Sequence, residues 1–342
     1  AVAYPAGLTV GACGHTLARH PPRRTGRGPF VLSGSGRCLV THFADVVFPA
    51  LAADTAIARA ARKLADGEDV TLAAPAFVRP LLTALAASGR ARSVLVVVPG
   101  ADAAERFARQ LGAYIEHDRV LLFPDRADMP WDRTASDPVV VGSRTRALHA
   151  LGTGRPVVVV ASGRSLLRIL PPQGSHVFEP LVLAEGANLD LALAAERLVR
   201  MGYERVPVAG ERGQFALRGG TLDVYGADAA YPVRAELFGD EIESLRRYVP
   251  STQQHIGDAG TVEIYPCREF SPGSRAGQGV RRALGREALA NETLARDIEL
   301  IEQGMTFNGV EQYLPYAYRA AASVLDHATP GTLVVVAEPR AV

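Results

Sequence analysis

Residues 92–114, "RSVLVVVPGADAAERFARQLGAY", decide the fold class. The run from Val94 to Val98 is β-branched or aliphatic at every position, with no polar residue every second place. Such a strand is buried on both faces. Pro99-Gly100 then breaks the run, and Ala104, Phe107 and Leu111 recur at helical spacing. The same alternation spreads to either side. Upstream, "DVTLA" (69–73) reads as a short strand and "AFVRPLLTALAASG" (76–89) as a helix. Downstream, "RVLLFPD" (119–125) and "RPVVVVAS" (155–162) read as further buried strands, with "DPVVVGSRTRALHALG" (137–152) as the helix between them. Buried strands alternating with helices predict an α/β fold with a parallel sheet covered on both faces.

The chain has 342 residues, enough for two or three domains, and its 48% hydrophobic and 21% charged content is that of an ordinary globular protein. A formal net charge of +1 argues against nonspecific binding to nucleic acid or membrane. Cys13, Cys38 and Cys267 are far apart and odd in number, which suits a reducing compartment and neither a disulfide framework nor a zinc site. The apolar runs are too short to span a bilayer and the first residues lack the pattern of a signal peptide, so the expectation is a cytoplasmic protein with no membrane partner. Of the 37 basic residues only Lys63 is a lysine, and it sits in "ARKLA" without a glycine loop. A Walker-type phosphate loop ends in Gly-Lys-Ser/Thr, so no such loop exists here, and Schiff-base chemistry is excluded almost everywhere. Ligands of doubly wound sheets bind beyond the carboxyl ends of the strands. There the loop "AAPAF" (73–77) has neither glycine nor cation.

Composition divides the chain into four parts. Residues 1–44, rich in Pro, Gly and Arg, read as an irregular lead-in, and "SGSG" at 33–36 as a plain turn. Residues 45–177 carry the α/β pattern. From 178 to 262 the period changes: the helix "LDLALAAERLVRMGY" puts Leu191, Ala194, Leu198 and Met201 on one stripe, and short strands follow. These are "RVPVA", "GQFALRG", "GTLDVYG", "YPVRAELFG" and "EIESLRRYV", with turns at Gly219-Gly220 and Gly239-Asp240. They predict a small antiparallel α+β domain. Residues 263–342 hold helices and a last buried strand, "GTLVVVAEP". That strand most simply rejoins the first sheet, which makes the middle domain an insertion.

Three stretches carry a family resemblance. "LLFPDRADMPWDRTASDPVVVGSRTRAL" resembles a Pro-aromatic-Asp segment and following helix of the bacterial transcription-repair coupling factors (the Mfd family). "GYERVPVAGERGQFALRGGTLDVYG" with "YPVRAELFGDEIESLR" resembles the family's second domain, and "GVEQYLPYAY…SVLDHATPGTLVVVAEP" the end of its N-terminal module. That module is similar to the excinuclease subunit UvrB. The resemblance, over about residues 45–342, implies a degenerate RecA-like domain in two parts (45–177 and 263–342) split by an inserted domain (178–262). It implies a non-catalytic module, with no cofactor and no metal, since the family has lost its ATPase residues here whereas UvrB keeps a P-loop. In the intact family protein, RNA polymerase and double-stranded DNA are bound, and an ATP-driven translocase is carried, by regions beyond this chain. The chain therefore reads as a fragment, a truncated product or a stand-alone paralogue.

The resemblance also implies a partner, the excinuclease subunit UvrA, and residues that meet it: Arg218, Arg234 and Phe238. The strand period supplies a physical reason. Arg234, Glu236 and Phe238, two apart, project from one face, and Phe215 and Leu217 on an earlier strand face the core and send Arg218 outward. A guanidinium binds a carboxylate with two parallel hydrogen bonds, and arginine beside an aromatic is typical of interface hot spots. Without the family, Arg234 and Glu236 read as a solvated charge pair and Phe238 as satellite core. Gly219 permits a tight turn, while Asp240 and Glu241 shape the second turn or orient the arginines.

Other candidates are weaker. Trp131 reads as packing, and Arg144 and Arg146 as a solvated helix face or a phosphate contact. The eight histidines show no metal spacing, and Ser162 lacks a nucleophile elbow. Three classes compete: a UvrA-recruiting interaction module, a nucleotide-dependent DNA enzyme like UvrB, and a DNA-binding module. The missing lysine opposes the second and the near-zero net charge the third.

Overall fold

The β-branched runs form the centre of a parallel sheet in the computed structural model, which describes residues 43–88, 93–127, 133, 136–320 and 322–338. Strands β1 (Val94–Val98) and β3 (Val158–Ser162) are buried at every position. Each has a neighbour on both sides. The order is β12-β1-β3-β2, all parallel, with β2 at Val120–Phe123 and β12 at Leu333–Val336. Val96 pairs with Val160 on one side and Val335 on the other. Each fully buried Val or Leu contributes roughly 1.5–3 kcal/mol by leaving water.

The chain divides into two compact units, Ala1–Ala73 and Ala74–Val342. The described part of the first consists of helices α1 (Phe43–Ala52) and α2 (Thr55–Ala65). Asp54 caps α2 by accepting from the Ala56 and Ile57 amides. Sequence reading left these helices unassigned and expected a strand at "DVTLA". Residues 69–73 instead form no strand, with Leu72 exposed. That run has only Val70 and Leu72 to bury, and both sides of β1 are taken by β3 and β12.

In the second unit, α3 (Arg79–Ser88) precedes β1, and α4 (Ala101–Leu111) buries Ala104, Phe107 and Leu111 between β1 and β2. Helix α5 (Pro138–Gly152), capped by Asp137, joins β2 to β3. Its Leu148 and Leu151 pack with Phe123, Val159 and Leu170. Ser162 closes β3 and caps the four-residue α6 (Gly163–Leu166), accepting from Ser165 N at 3.0 Å and donating to Asp125. That hydroxyl is structural.

The chain then leaves the sheet through β4 (Leu181–Ala184), which pairs antiparallel with β11 (Thr261–Ile264). Between them lie α7 (Leu191–Arg200) and a six-stranded sheet in the order β10-β9-β8-β7-β6-β5. Its members are β5 (Glu204–Arg205), β6 (Gln214–Arg218), β7 (Thr221–Tyr225), β8 (Val233–Phe238), β9 (Glu241–Tyr248) and β10 (His255–Asp258). Ala194, Leu198 and Met201 of the expected stripe meet Phe215, Leu222, Val224 and Leu245 in one core, with Leu191 half-buried at its edge. The "RVPVA" strand is shorter than expected. It spans only Glu204–Arg205 and runs parallel to β6, because Pro207 has no amide to continue the ladder after Val206 N bonds Phe215 O at 2.9 Å.

After β11, helices α8 (Ser274–Ala288) and α9 (Glu292–Glu302) build a third core around Phe270, Val280, Ile298 and Tyr313. Short helices α10 (Leu314–Ala317) and α11 (Val324–His327) lead to β12 beside β1. So β12 does rejoin the first sheet. It is an edge strand and not fully buried: Val334 and Val336 are 45% and 46% exposed. No helix among the described residues is long and apolar enough to cross a membrane.

Candidate partner-binding face of the inserted sheet

Two glycine turns set the register of the face opposite α7. Gly219 (φ +58°) joins β6 to β7, and Gly239 (φ +62°) with Asp240 joins β8 to β9. Asp223, Arg234 and Arg246 then lie across from one another on three adjacent strands, and so do Thr221, Glu236 and Ser244. Near the second turn the register shifts: Glu236 faces Ser244 but Leu237 faces Ile242, so Glu243 is the extra residue. The shift keeps Ile242 and Leu245 both in the core while Arg234, Glu236 and Phe238 stay on the outer side.

Phe238 is 81% exposed, which removes the satellite-core reading. The two cations behave differently from each other. Arg234 makes a two-pronged ion pair with Asp223, Nε to Oδ1 at 2.7 Å and Nη2 to Oδ2 at 2.8 Å. Its Nη2 also donates to Gln253 Oε1 at 2.8 Å, and its Cζ lies 4.9 Å from the Tyr248 ring centroid. The hydrogen bond to Asp223 holds its proton more firmly than usual, and burial pushes the Tyr248 phenol up to about 12. Arg218 reaches the same Asp223 by one longer bond, 3.2 Å, and its side chain is 53% exposed against 27% for Arg234.

The expectation of a freely presented guanidinium pair is therefore corrected for Arg234. One buried carboxylate, Asp223, 1% exposed, organises both arginines. Sequence reading missed it. The available signal was an aspartate inside a strand, where that residue is disfavoured, placed opposite an arginine. Glu236 does not pair with Arg234 either; it accepts from Ser244 Oγ at 2.7 Å and lies 3.5 Å from Arg246. Asp240 and Glu241 work through the backbone: Asp240 O accepts from Leu189 N at 2.7 Å, and Glu241 bridges to Asn188. Neither has a bond to Arg218 or Arg234 among the described residues. The result is a shallow basic patch, ringed by Glu236 and Arg246, with a bare benzyl group four residues (~13 Å) along β8 from Arg234. It has the chemistry to hold an acidic and apolar protein surface.

Arg144 and Arg146 also depart from expectation. Arg144 is fully buried, with its Cζ 3.9 Å above the Phe123 ring. Its Nε donates to Glu269, its Nη1 donates to Pro124 O at 2.8 Å, and Arg126 Nη1 donates to Glu269 at 3.0 Å. Burial pushes the Glu269 carboxyl up, and the fields of the two guanidiniums overcome it and leave it below its ordinary value. Helix α5 buries Val141, Thr145, Ala147 and Leu148 around Arg144, so it has no solvated face there. Arg146 is half-exposed and pairs with Asp228 at 3.2 Å. Trp131, Cys13, Cys38 and nearly all of residues 1–44 lie outside the described residues, and among the described residues no metal-ligating cluster occurs.

The family described as the UvrB interaction domain matches residues 181–270, the span that holds this face. The chain is 33% identical over 319 residues to the transcription-repair-coupling factor of Mycobacterium tuberculosis, covering 89% of this chain and 26% of that protein. By sequence the chain is a relative of the transcription-repair-coupling factors. The coupling factor of Bacillus subtilis is 25% identical over 274 residues, 76% of this chain and 23% of its own length. The UvrABC system protein B of Thermobifida fusca is 30% identical over 285 residues, 72% of this chain and 40% of that protein. The chain thus spans about 26% or less of the coupling factors cited.

Proposed function

We propose that this chain is the non-catalytic, UvrB-like part of a transcription-repair coupling factor, and that its inserted sheet docks the excinuclease subunit UvrA. The observation that carries the reading is the exposed Phe238 together with the half-committed Arg218, on one sheet face within the matched UvrB interaction domain. Arg218 retains donors with no partner among the described residues and offers them to a carboxylate. Phe238 supplies apolar area whose ordering costs little entropy. Arg234, locked on Asp223, shares that carboxylate with Arg218 and adds positive charge to the same face.

The parallel sheet reads as a RecA-like domain that has lost its nucleotide chemistry. The one lysine of the chain, Lys63, lies on α2 of the first unit and pairs with Glu68 at 2.8 Å. In the intact protein this docking recruits UvrA to stalled transcription complexes, RNA polymerase binding and DNA translocation belong to regions beyond this chain, and the setting is the cytoplasm. The test is calorimetric titration of the 342-residue chain with purified UvrA. Arg218→Ala and Phe238→Ala should each weaken binding about tenfold or more, the loss of one hot-spot anchor. Unchanged affinity in both variants would overturn the reading.

A further inference from the structure

On the other side of the inserted domain from that face, α7 ends beside the chain that follows β11, and a pocket of about 310 Å³ opens there. Three guanidiniums line it, from Arg197, Arg200 and Arg268. Their ties to the protein are weak in charge. Arg197 Nη2 donates to a neutral carbonyl, Pro180 O, at 2.9 Å. Arg200 approaches Glu196 only at 3.8 Å, with both side chains mostly in solvent. Arg268 has no hydrogen bond or ion pair among the described residues. Burial weakens its hold on its proton, with Glu311 pulling back from longer range. The lining carboxylate, Glu179, is engaged by His176 Nδ1 at 2.6 Å.

The backbone is cleared for Arg268. Gly202 has φ +91°, and a Cβ there would come within 2.5 Å of Arg268 Cγ and 2.7 Å of its Nε. A side-chain-bearing residue would both strain the turn and displace the arginine. The carboxyl end of α7 disfavours an anion nearby, but the last carbonyl, Met201 O, already accepts from Cys267 N at 2.8 Å. Three converging cations, one of them desolvated and unpaired, with the Ser271 hydroxyl beside them, describe a site for a compact dianion.

We propose that this pocket binds a phosphate group, with the half-buried Arg268 as its anchor and Arg197 and Arg200 closing over it. The site is independent of the UvrA reading and would stand if that reading fell. Its phosphate comes either from a small phosphate compound or from a nucleic-acid backbone, and two probes separate these sources. The 342-residue chain is titrated with inorganic pyrophosphate, then again with a short single-stranded DNA oligonucleotide present. Saturable binding is expected, weakened about tenfold or more by Arg268→Gln and less by Arg200→Gln. Given that binding, competition by the oligonucleotide assigns the phosphate to nucleic acid, and its absence to a free compound. Thermal melts check the fold of each variant. Should Arg268→Gln not fold, the solvent-exposed Arg200→Gln decides alone: weaker binding upholds the site and equal binding overturns it. Absence of saturation up to about 10 mM pyrophosphate, about tenfold above a Kd of about 1 mM, also overturns it.

Discussion

Replacing Arg234 by alanine tests how the candidate face is built. Asp223 is almost wholly buried and receives three charge-assisted hydrogen bonds, at 2.7, 2.8 and 3.2 Å. Arg234→Ala removes the two shorter ones and leaves the carboxylate on a single long bond to Arg218. Breaking a buried ion pair by deleting one partner costs about 3–5 kcal/mol. Arg234 is a quarter exposed and Arg218 remains, so about 2–3 kcal/mol is the expectation after discounting for solvent. At roughly 2–4 °C per kcal/mol the melting temperature should fall by about 5–10 °C. Differential scanning calorimetry measures this. The Asp223→Ala/Arg234→Ala double variant should recover much of the loss, because it removes the stranded charge as well. A melting temperature within about 1 °C of the parent for Arg234→Ala would refute the argument. So would simple additivity in the double variant. If the argument holds, loss of UvrA binding in Arg234→Ala says little about direct contact, and Arg218 and Phe238 are the clean probes of docking.

Three further outcomes follow from other clusters. Arg218→Ala and Phe238→Ala should leave stability within about 0.5 kcal/mol of the parent by urea denaturation, since both side chains are mostly in solvent; a larger loss would make them structural. The hydrogen bond from Arg155 holds the Glu263 carboxyl down to about 2 from an ordinary 4.5. A depressed folded-state value stabilises above the ordinary one, and that stability is lost as pH falls from 4.5 toward about 2. Acid titration of Glu263→Gln should therefore show a shallower decline across that window, and an identical slope would count against the pair. Glu269→Gln should cost about 3–5 kcal/mol in chemical denaturation by leaving Arg144 buried without its counter-charge, and a loss under about 1 kcal/mol would show that water relieves it.

The α/β class was legible because β1 and β3 are buried on both faces and sequence records that directly as an unbroken aliphatic run. The same rule misread β12, whose "LVVV" is equally apolar although it lies on an edge with alternate valines exposed. Composition does not say how many neighbours a strand will have. The stripe of α7 and both hairpin turns were readable from local chemistry, and Phe238 and Arg218 do project outward. Asp223 signalled only that it was out of place in a strand; its partners lie on other strands, so its part in organising them shows only once the strands pair. Arg144 was misread for a related reason: an arginine on a helix signals solvent unless its buried counter-charge is known, and Glu269 lies 125 positions away in sequence.

The pairing of β4 with β11 has a topological consequence. Leu181 and Ile264 sit opposite each other, so the chain departs and comes back at nearly one point, about 5 Å apart across the ladder. Everything between them leaves and returns through a two-stranded stem. A tight loop across that gap would bridge the host polypeptide, but excision would also break the Arg146–Asp228 pair and the close packing of Gly142 on Ala227, so the segment is fastened at α5 as well as at its stem.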